Sequence, residues 1–387
     1  MKVRDAEAVV AVTNAVLSSR DAPCRAAHDA ARGVHLLACK SISAGELVAS
    51  EAPLLLTPRV HARAFVCATC LRDSRETGPA PTNGLPKRWT RRCAGCRTLR
   101  FCSEKCEAVL SERHAGAECA ILSAIAREEL EAQEQLACAP SLLAQGIRLL
   151  ADRHNGVLVD ACPGMRVGFT DLTARLTMVA DRSAEAASLV EEVVAVAQRV
   201  VPPAVAAPPE EISEMLSKID VNQFATYSRK RLHDATRSTA STTTSPATDG
   251  GSRDAARACF VGVLPLFNHS CAPNVAFDCV PAEAGGDGEM PTFSIRSLVD
   301  IAADEELNIA YIDTCAPRAK RQEELRVHYG FECTCVRCVS DTVDDEVGGD
   351  WLAELRCTLP DCGSGYAVGE ARRCLHCGRE CGPRTGG

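Results

Sequence analysis

The residues of this chain whose types and spacing most directly imply chemistry are closely spaced pairs of cysteines. Tetrahedral zinc takes four soft or borderline ligands, and a Cys-x2-Cys step places two thiolates on one turn of chain. Eight such ligands follow one another in four pairs: Cys67 and Cys70, Cys93 and Cys96, Cys102 and Cys106, and His114 and Cys119. The series supplies enough ligands for two zinc sites. Unrelated buried thiols are the alternative, which the regular pairing disfavours.

Two further groups of cysteines lie towards the C-terminal end of the chain. Cys333, Cys335 and Cys338 offer three thiolates and lack a fourth ligand. The tail carries two looser pairs and a single cysteine: Cys357 and Cys362, Cys374 and Cys377, and Cys381. The two tail pairs predict a further zinc site, with free thiols as the alternative.

The bulk composition limits what these thiols can be. The chain has 387 residues, 23 cysteines and a formal net charge of −8. A secreted disulfide scaffold would begin with a signal peptide, but the first twenty residues carry Asp5 and Glu7 and a short, interrupted apolar run. No apolar run reaches the length that crosses a membrane. We therefore expect zinc-bound cysteines, a chain located in the nucleus and/or the cytoplasm, and no membrane partner.

Basic residues concentrate within the cysteine-paired stretch although the whole chain is acidic. From residue 87 to residue 105 the acidic residue Glu104 stands against Lys87, Arg88, Arg91, Arg92, Arg97, Arg100 and Lys105. The negative net charge argues that the protein as a whole does not attract nucleic acid. A solvated face is the plain interpretation of the cluster. An acidic protein partner, or a weak contact with nucleic-acid phosphates, is the second interpretation.

A different kind of site is indicated by the stretch Leu266-Phe267-Asn268-His269-Ser270-Cys271-Ala272-Pro273-Asn274. Its Asn-His-Ser triplet matches a glycosylation pattern, which would need an exposed loop in a secreted chain. The apolar run from Phe260 to Phe267 leads straight into the triplet, so we interpret the stretch as buried. Two blocks follow it: Glu306-Leu307-Asn308-Ile309-Ala310-Tyr311-Ile312-Asp313, and Tyr329-Gly330-Phe331-Glu332-Cys333-Thr334-Cys335-Val336-Arg337-Cys338.

These three blocks and the paired Cys/His series, in this order, resemble the SET- and MYND-domain (SMYD) family of protein-lysine methyltransferases. The resemblance implies an α+β fold, in which a β-rich split SET domain carries an inserted MYND zinc finger, a helical insert and a Cys-rich post-SET segment. It also implies methyl transfer from S-adenosyl-L-methionine to a lysine of a histone or non-histone protein. The finger would bind peptide partners.

The same resemblance divides the chain into units. They are an N-terminal arm (1–27), the first part of the SET domain (28–66), the MYND finger (67–119), the helical insert (120–220), the SET core (221–332), the post-SET segment (333–338), and an acidic linker with the Cys-rich tail (339–387).

Individual residues acquire roles from the resemblance as well. Tyr311 is the catalytic candidate, with its hydroxyl beside the lysine nitrogen; a structural strand tyrosine is the alternative. The residues implied to hold the cofactor are Arg32, Gly33, Asn222, Asn268, His269, Tyr311 and Phe331, of which Phe331 would stack on the adenine. His35 stands where the family has a second glycine in the cofactor turn.

For the metals, the resemblance implies interleaved sites. One ion would be held by Cys67, Cys70, Cys102 and Cys106, and another by Cys93, Cys96, His114 and Cys119. A further ion would be held by Cys271 with Cys333, Cys335 and Cys338, which joins the Asn-His segment to the post-SET segment. The expected cofactors are S-adenosyl-L-methionine and Zn2+ at three sites, or at four if the tail pairs (Cys357, Cys362, Cys374 and Cys377) bind an ion.

Two other functions stay open on the sequence alone. A SET and MYND scaffold without activity, or a transcriptional co-regulator, would bind partners through the finger, and His35 favours this alternative. A zinc-rich nucleic-acid binder would use the basic residues of the finger. Binding of S-adenosyl-L-methionine to the purified protein distinguishes the scaffold from the enzyme.

The elements that must position these residues follow from hydrophobic periodicity. Residues 32–38 and 47–56 predict a first β-hairpin, and residues 275–280 with 292–298 predict a second one. Residues 120–220 carry helical apolar spacing and predict helices with no chemistry of their own. Residues 319–329 predict a basic helix. The Ser-, Thr- and Gly-rich stretch 234–252 predicts a flexible loop.

Overall fold

A computed structural model of the chain describes residues 3–59, 61–76, 87–128, 140–169, 171–172, 184–226, 255–278, 288–340, 349, 351–359, 365–375 and 379–381. Its helices are α1 (Val3–Ser19), α2 (Glu104–His114), α3 (Ala117–Glu128), α4 (Pro140–Asn155), α5 (Ala184–Val200), α6 (Pro209–Asn222), α7 (Arg318–Tyr329) and α8 (Val336–Val339). Among the residues described, none of these helices has the combined length and apolarity needed to cross a bilayer. The predicted loop 234–252 lies outside the described residues.

Short strands are distributed along the whole described chain. They are β1 (Cys24–Asp29), β2 (Gly33–Ala38), β3 (Leu47–Glu51), β4 (Leu55–Pro58), β5 (Val159–Cys162), β6 (Met165–Val167), β7 (Gln223–Thr226), β8 (Ala256–Cys259), β9 (Asn268–His269), β10 (Val275–Asp278), β11 (Phe293–Ser297), β12 (Asn308–Ile309), β13 (Ala367–Val368) and β14 (Arg373–Cys374).

Several of these strands pair with partners that are far away in sequence. β11 lies between β10 and β3, and β8 lies between β4 and β7, all antiparallel. The β10–β11 pairing confirms the second predicted hairpin, and α7 confirms the predicted basic helix. Because β3 and β4 precede the cysteine-rich finger while their partners follow the insert, the two halves of the sheet region meet across both insertions.

The first predicted hairpin is wrong in its pairing. β2 pairs with β1, from Asp29 opposite Gly33 to Cys24 opposite Ala38, whereas β3 pairs with β11. Asp29 Oδ1 accepts hydrogen bonds from the amides of Ala31 (3.0 Å) and Arg32 (2.7 Å), and Gly33 has φ +67°, so the tight turn forms there.

A contact with the first helix explains why residues 24–29 form a strand, although residues 1–27 were expected to be an arm. The side chain of Asn14, in α1, donates to the carbonyl of Ala26 (3.0 Å) and accepts from its amide (2.7 Å). The Ala-rich strand has weak strand propensity by itself, so tertiary pairing decides its conformation.

The insert is helical in α3 to α6, but the expectation of helices alone is wrong for residues 159–167. There β5 pairs with β6, with Val159 opposite Val167. The amide of Ala52, next to the end of β3, donates to the carbonyl of Ala161 at 2.7 Å. The hairpin therefore gains a contact with the sheet region that the local sequence does not indicate. Within the region predicted to be helical, residues 129–139, 170 and 173–183 lie outside the described part of the chain.

An aromatic cluster forms the centre of the core around the sheets. Phe224, Phe260, Phe277 and Phe293 pack with ring centroids 4.8 to 5.9 Å apart, mostly edge to face or tilted. Phe260 and Phe293 are fully buried. Phe260 belongs to the segment that leads to the Asn-His stretch, so the cluster fixes the start of that segment in the core.

Buried ion pairs hold the cysteine-rich finger against the strands. Glu118 accepts from Arg148 Nε (2.9 Å), and Arg148 also donates to the carbonyl of Leu56 in β4 (2.7 Å). Arg113, in α2, pairs with Asp152 and donates to the carbonyl of residue 54 (2.7 Å). Glu118 and Arg148 are almost entirely excluded from solvent. Because a buried charge without a partner is costly, these pairs stabilise the docked finger.

Replacing Glu118 with glutamine should lower the free energy of unfolding by about 3 kcal/mol, because the buried guanidinium of Arg148 loses its counter-charge. Urea denaturation at a fixed zinc concentration, followed by circular dichroism, measures the change. The matched control is Glu323→Gln, which removes an exposed partner of Arg326 and should change the free energy of unfolding far less than Glu118→Gln does. Equally small effects in both variants would contradict this role for Glu118.

Candidate active site

The candidate site is built on a two-residue parallel pairing between β9 and β12. Asn268 lies opposite Asn308 and His269 lies opposite Ile309. The pairing continues through Ser270, whose amide donates to the carbonyl of Ile309 at 2.9 Å. The pairing places the Asn268-His269 stretch beside the block that runs from Glu306 to Asp313. Tyr311 lies two residues beyond the paired strand β12.

The turn of the first hairpin reaches the same place. The side-chain amide of Asn268 donates to the carbonyl of Arg32 (3.2 Å) and to Glu306 Oε1 (3.2 Å). The other oxygen of Glu306 forms an ion pair with Arg32 at 3.1 Å. Gly33 follows with a left-handed φ, and a Cβ built on it would meet nothing within 4 Å, so the turn faces open space. Glu306 therefore links the turn to the Asn-His segment.

The ring of His269 lies between the backbone of Tyr311 and Cys271, the cysteine that groups with the three cysteines of the post-SET segment. Its Nδ1 lies 3.0 Å from the amide N of Tyr311, and its Nε2 lies 3.3 Å from Cys271 Sγ. Burial lowers the pKa of His269 to about 4, so the ring is neutral near pH 7. Since the amide must donate, we assign the ring proton to Nε2, facing the sulfur.

Tyr311 has a fixed hydroxyl in a partly buried position. The hydroxyl donates to the carbonyl of Phe267 at 2.7 Å, and the ring centroid lies 5.4 Å from that of His269 and 5.1 Å from that of Tyr329. Burial raises the pKa of the Tyr311 hydroxyl, so it is neutral at physiological pH. The side chain thus presents an oriented, uncharged O–H group.

Phe331 completes the aromatic wall of this region. Its ring centroid lies 6.1 Å from that of His269, and the ring is partly exposed. It packs in one apolar cluster with Tyr311 and Tyr329 beside the post-SET cysteines. The predicted residues Arg32, Gly33, Asn268, His269, Tyr311 and Phe331 are therefore linked through contacts around one region.

The side chains of Asn222 and His35 each form a hydrogen bond within their own helix or strand. Asn222 ends α6, and its side-chain amide donates to the carbonyl of Lys218 in the same helix at 2.8 Å. A role for it in cofactor binding stays a prediction. His35 is buried, with Nδ1 3.0 Å from the carbonyl of Gly33, so it packs inside the hairpin.

The post-SET cysteines form a group with the ligand-donor chemistry that zinc requires. The sulfurs of Cys271, Cys333, Cys335 and Cys338 all lie within 4.8 Å of one another. Arg337 is buried beside them and donates to the carbonyls of Cys271 (3.4 Å) and Thr314 (2.6 Å). An ion held by this group would tie the Asn-His stretch to the post-SET segment.

The finger contains the two interleaved groups that the resemblance implied. One comprises Cys67, Cys70, Cys102 and Cys106, the other Cys93, Cys96, His114 and Cys119, and in each the ligand atoms lie within 4.8 Å of one another. His114 Nδ1 is bonded to Glu118 at 2.9 Å, which leaves Nε2 facing Cys96 at 3.4 Å. A carboxylate behind a histidine ligand is typical of zinc sites. Four cysteines, and three cysteines with one histidine, are both ligand sets of structural zinc, so both groups fit the ion.

The first finger group also contacts the β10–β11 hairpin. The amide of Gly288 donates to Cys106 Sγ at 3.3 Å. The hydrogen bond with Cys67 lowers the pKa of Cys106 to about 7; burial opposes this effect and the Gly288 amide adds to it. A lowered thiol pKa favours the thiolate that a metal binds.

The predicted tail site is described only in part, because Cys362 and Cys377 lie outside the described residues. Cys357 and Cys381 are buried with their sulfurs 3.3 Å apart, and Cys374 is buried in the same small cluster. Metal binding by the tail stays a prediction.

Glu51 is a structurally important residue near the site that sequence analysis missed. It is fully buried, and its two oxygens accept four backbone N–H groups, from residues 261, 262, 263 and 264, at 2.6 to 3.2 Å. A Cβ at Gly262 would lie 2.7 Å from Glu51 Oε1, so the close approach needs glycine. These bonds hold the loop that leads to Phe267 and Asn268. The one available signal was a carboxylate at the end of an apolar strand.

The family model that matches this chain is the SET domain, over residues 33–312. This match covers more than half of the chain, so the chain belongs to the SET-domain family. The matched segment includes β2, β9 and β12, whose contacts are described above.

Curated relatives extend the match to proteins that combine SET and MYND domains. Histone-lysine N-methyltransferase SMYD3 of Homo sapiens is 27% identical over 330 residues, which is 83% of this chain and 63% of that protein. SET domain and MYND-type zinc finger protein 6 of Schizosaccharomyces pombe is 24% identical over 294 residues, which is 75% of this chain and 47% of that protein. The resemblance to the SMYD family is confirmed. The chain spans less than two thirds of the length of these relatives.

Metal analysis should find three zinc ions per chain, or four if the tail binds one, because each described group supplies four ligands. Inductively coupled plasma mass spectrometry of the purified protein measures this count. Cys271→Ser should lower it by one ion, whereas Cys39→Ser, at an exposed cysteine outside the three groups, should leave it unchanged. A wild-type count of one or none would overturn the ligand assignments.

Glu51→Gln should lower the free energy of unfolding by about 3 kcal/mol, because the glutamine NH2 group cannot accept the buried N–H groups that one carboxylate oxygen accepts. Chemical denaturation measures the loss. Glu104→Gln serves as the control, since Glu104 is largely exposed and pairs only with Arg91 among its described contacts. If Glu51→Gln were as stable as this control, the loop would not depend on the carboxylate.

Proposed function

We propose that this chain is an S-adenosyl-L-methionine-dependent protein-lysine N-methyltransferase, and that its MYND finger is a protein-interaction module. The observation that supports the enzyme most strongly is the convergence of the Gly33 turn, the Asn268-His269 pair and Tyr311 on one region. Membership of the SET-domain family and relatives named as lysine methyltransferases give further support.

The residues around the turn fit the proposed cofactor. When bound, S-adenosyl-L-methionine supplies an electrophilic methyl group on a sulfonium. Gly33 leaves space for a ligand to approach the backbone, Asn268 and His269 offer polar groups beside it, and Phe331 offers a ring face. Glu306 would contribute negative charge close to the ligand, partly balanced by Arg32.

Tyr311 would act by positioning the lysine nitrogen. Its hydroxyl oxygen and the carbonyl oxygen of Phe267 lie 2.7 Å apart, so two oriented oxygens are held in one place before substrate binds. Direct methyl displacement needs alignment of nucleophile, methyl and leaving group, and fixed geometry can supply a large part of the acceleration. Oriented oxygens also stabilise partial positive charge near the transferred methyl group.

The lysine must be neutral to attack. A lysine with a pKa of about 10.4 is neutral in roughly one of 2,500 molecules at pH 7, which corresponds to about 4.6 kcal/mol. A partly buried site beside a cationic sulfonium would lower the lysine pKa, because both desolvation and a like charge disfavour the ammonium form. The aromatic side chains of Tyr311, Tyr329 and Phe331 are the described groups that would provide this environment.

Histone and non-histone lysines are both candidate substrates, and the partner of the finger is proposed to be a protein. A weak nucleic-acid contact through the basic face of the finger is the other partner hypothesis. The alternative to the enzyme is a scaffold that retains the SET fold without activity. The observation that favours it is the buried His35 in place of a turn glycine.

Tyr311→Phe should reduce methyl transfer by about 100-fold or more, because the oriented hydroxyl is lost from the reacting centre. Its affinity for S-adenosyl-L-methionine should stay near that of the wild type, since the ring and the His269 contact to the backbone persist. Tritiated methyl transfer onto a peptide array measures the first quantity, and isothermal titration calorimetry measures the second.

Tyr366→Phe is the matched control, because Tyr366 lies in the tail beside Arg356 and should not change transfer. Unchanged transfer by Tyr311→Phe would remove Tyr311 from its proposed role. A wild-type chain that fails to bind S-adenosyl-L-methionine would favour the scaffold over the enzyme.

A further inference from the structure

Three arginines of the finger form a compact basic surface that the methyltransferase chemistry does not use. We call Arg88, Arg92 and Arg100 the arginine triad. Arg92 and Arg100 face each other in an antiparallel bridge, which places their side chains on the same face. The Arg88 guanidinium lies 5.6 Å from the ring centroid of Phe65.

The surrounding structure holds the triad in place. Arg100 donates to the carbonyl of Trp89 at 2.6 Å, and the indole N–H of Trp89 donates to the carbonyl of Arg72 at 3.1 Å. Arg100 is half-buried, whereas Arg88 and Arg92 are exposed. The surface is therefore built on backbone contacts within the finger, and its two outer charges are accessible.

The three positive charges repel one another. Arg100 lies opposite Arg92 and donates to the carbonyl of Trp89, the residue next to Arg88, so the three positively charged residues lie close together. Like charges directly opposite each other on paired strands are destabilising. An anionic ligand across the triad would relieve this repulsion.

Among the described residues, Arg75 and Arg91 of the finger have acidic partners within the chain, unlike the three arginines of the triad. Arg91 forms ion pairs with Glu104 (2.7 Å) and Glu107 (3.0 Å), and Arg75 pairs with Asp73. In the ranges that the structure describes, no ion pair joins Arg88, Arg92 or Arg100 to a carboxylate. Adjacent positions, Arg91 and Arg92, therefore differ in whether their charge is already balanced.

We propose that the arginine triad binds a short acidic segment of a partner protein. This proposal rests on the proposed interaction role of the finger and is independent of methyl transfer. A short acidic peptide matches the size of the triad. Nucleic acid is disfavoured, because a long polyanion would also meet the field of a chain with a formal net charge of −8. Screening in physiological salt restricts attraction to about 8 Å, so a local patch can bind a local run of acidic side chains.

The test uses the whole 387-residue chain and a fluorescein-labelled oligoglutamate peptide, with oligoglutamine of the same length as the neutral probe. Fluorescence anisotropy measures the dissociation constants. Arg92→Gln should weaken oligoglutamate binding about three- to fivefold, and Arg88→Gln with Arg92→Gln about tenfold or more, because each removes an accessible charge from the triad. Arg91→Gln should change it less than about twofold, since Glu104 and Glu107 already balance that charge. Arg100 is left intact because of its structural bond to Trp89.

Zinc content and thermal unfolding of each variant should match the wild type, which establishes that a loss of binding is local. Tyr311→Phe should bind oligoglutamate like the wild type, so failure of methyl transfer and failure of this proposal are separate results. Equal losses in Arg91→Gln and Arg92→Gln would overturn the triad and indicate a general charge effect. Equal affinity for oligoglutamate and oligoglutamine would overturn acidic recognition. Tighter binding to a single-stranded oligonucleotide, with a steep dependence on salt, would replace the peptide with nucleic acid.

Discussion

The neutral imidazole of His269 links the two structures on which the candidate site depends. One ring nitrogen accepts the backbone N–H of Tyr311, and the other faces the sulfur of Cys271. A protonated ring could not accept from that amide, and burial keeps the pKa of His269 low enough to prevent protonation near pH 7. A single side chain thus couples the orientation of Tyr311 to the cysteine group that would hold a metal. The β9–β12 pairing is only two residues long. The bond from the Tyr311 amide to His269 therefore helps to hold the two segments in register.

In other parts of the structure, buried charged side chains connect segments that are far apart in sequence. Strands of two to six residues offer few ladder hydrogen bonds, yet the paired strands are separated in sequence by the cysteine-rich finger and the helical region. Glu51 bonds to backbone N–H groups more than 200 positions away in sequence, and Arg148 bonds to a carbonyl 92 positions away. Each of these groups is buried with its hydrogen bonds made, which is the condition under which burial of a charge is tolerated. Glu118 bonds both to His114, a member of the second cysteine-histidine group, and to Arg148, which bonds to the strand β4. These contacts connect the finger to the strands.

Particular residues show where sequence reasoning succeeded and where it failed. The cysteine groups were predictable because zinc demands four ligands, and only a few spacings bring them together. The family resemblance then supplied the interleaving and the role of Cys271. The first hairpin was assigned wrongly because residues 24–29 have little strand preference and form a strand through Asn14 and β2. Glu51 was missed because a carboxylate in sequence shows nothing about the four amides that surround it.

The sequence by itself determined the chemistry available to this protein: the metal ligands, the Asn-His pair, the tyrosine, and the basic character of the finger. These are properties of residue types and short spacings, which act over a few positions. Only the tertiary structure decided that the Gly33 turn, His269 and Tyr311 meet, that Arg91 is neutralised while Arg92 is not, and that Glu51 holds the loop before Asn268. Those outcomes depend on contacts between segments tens to hundreds of residues apart, and such contacts are selected by the packing and desolvation of the whole chain.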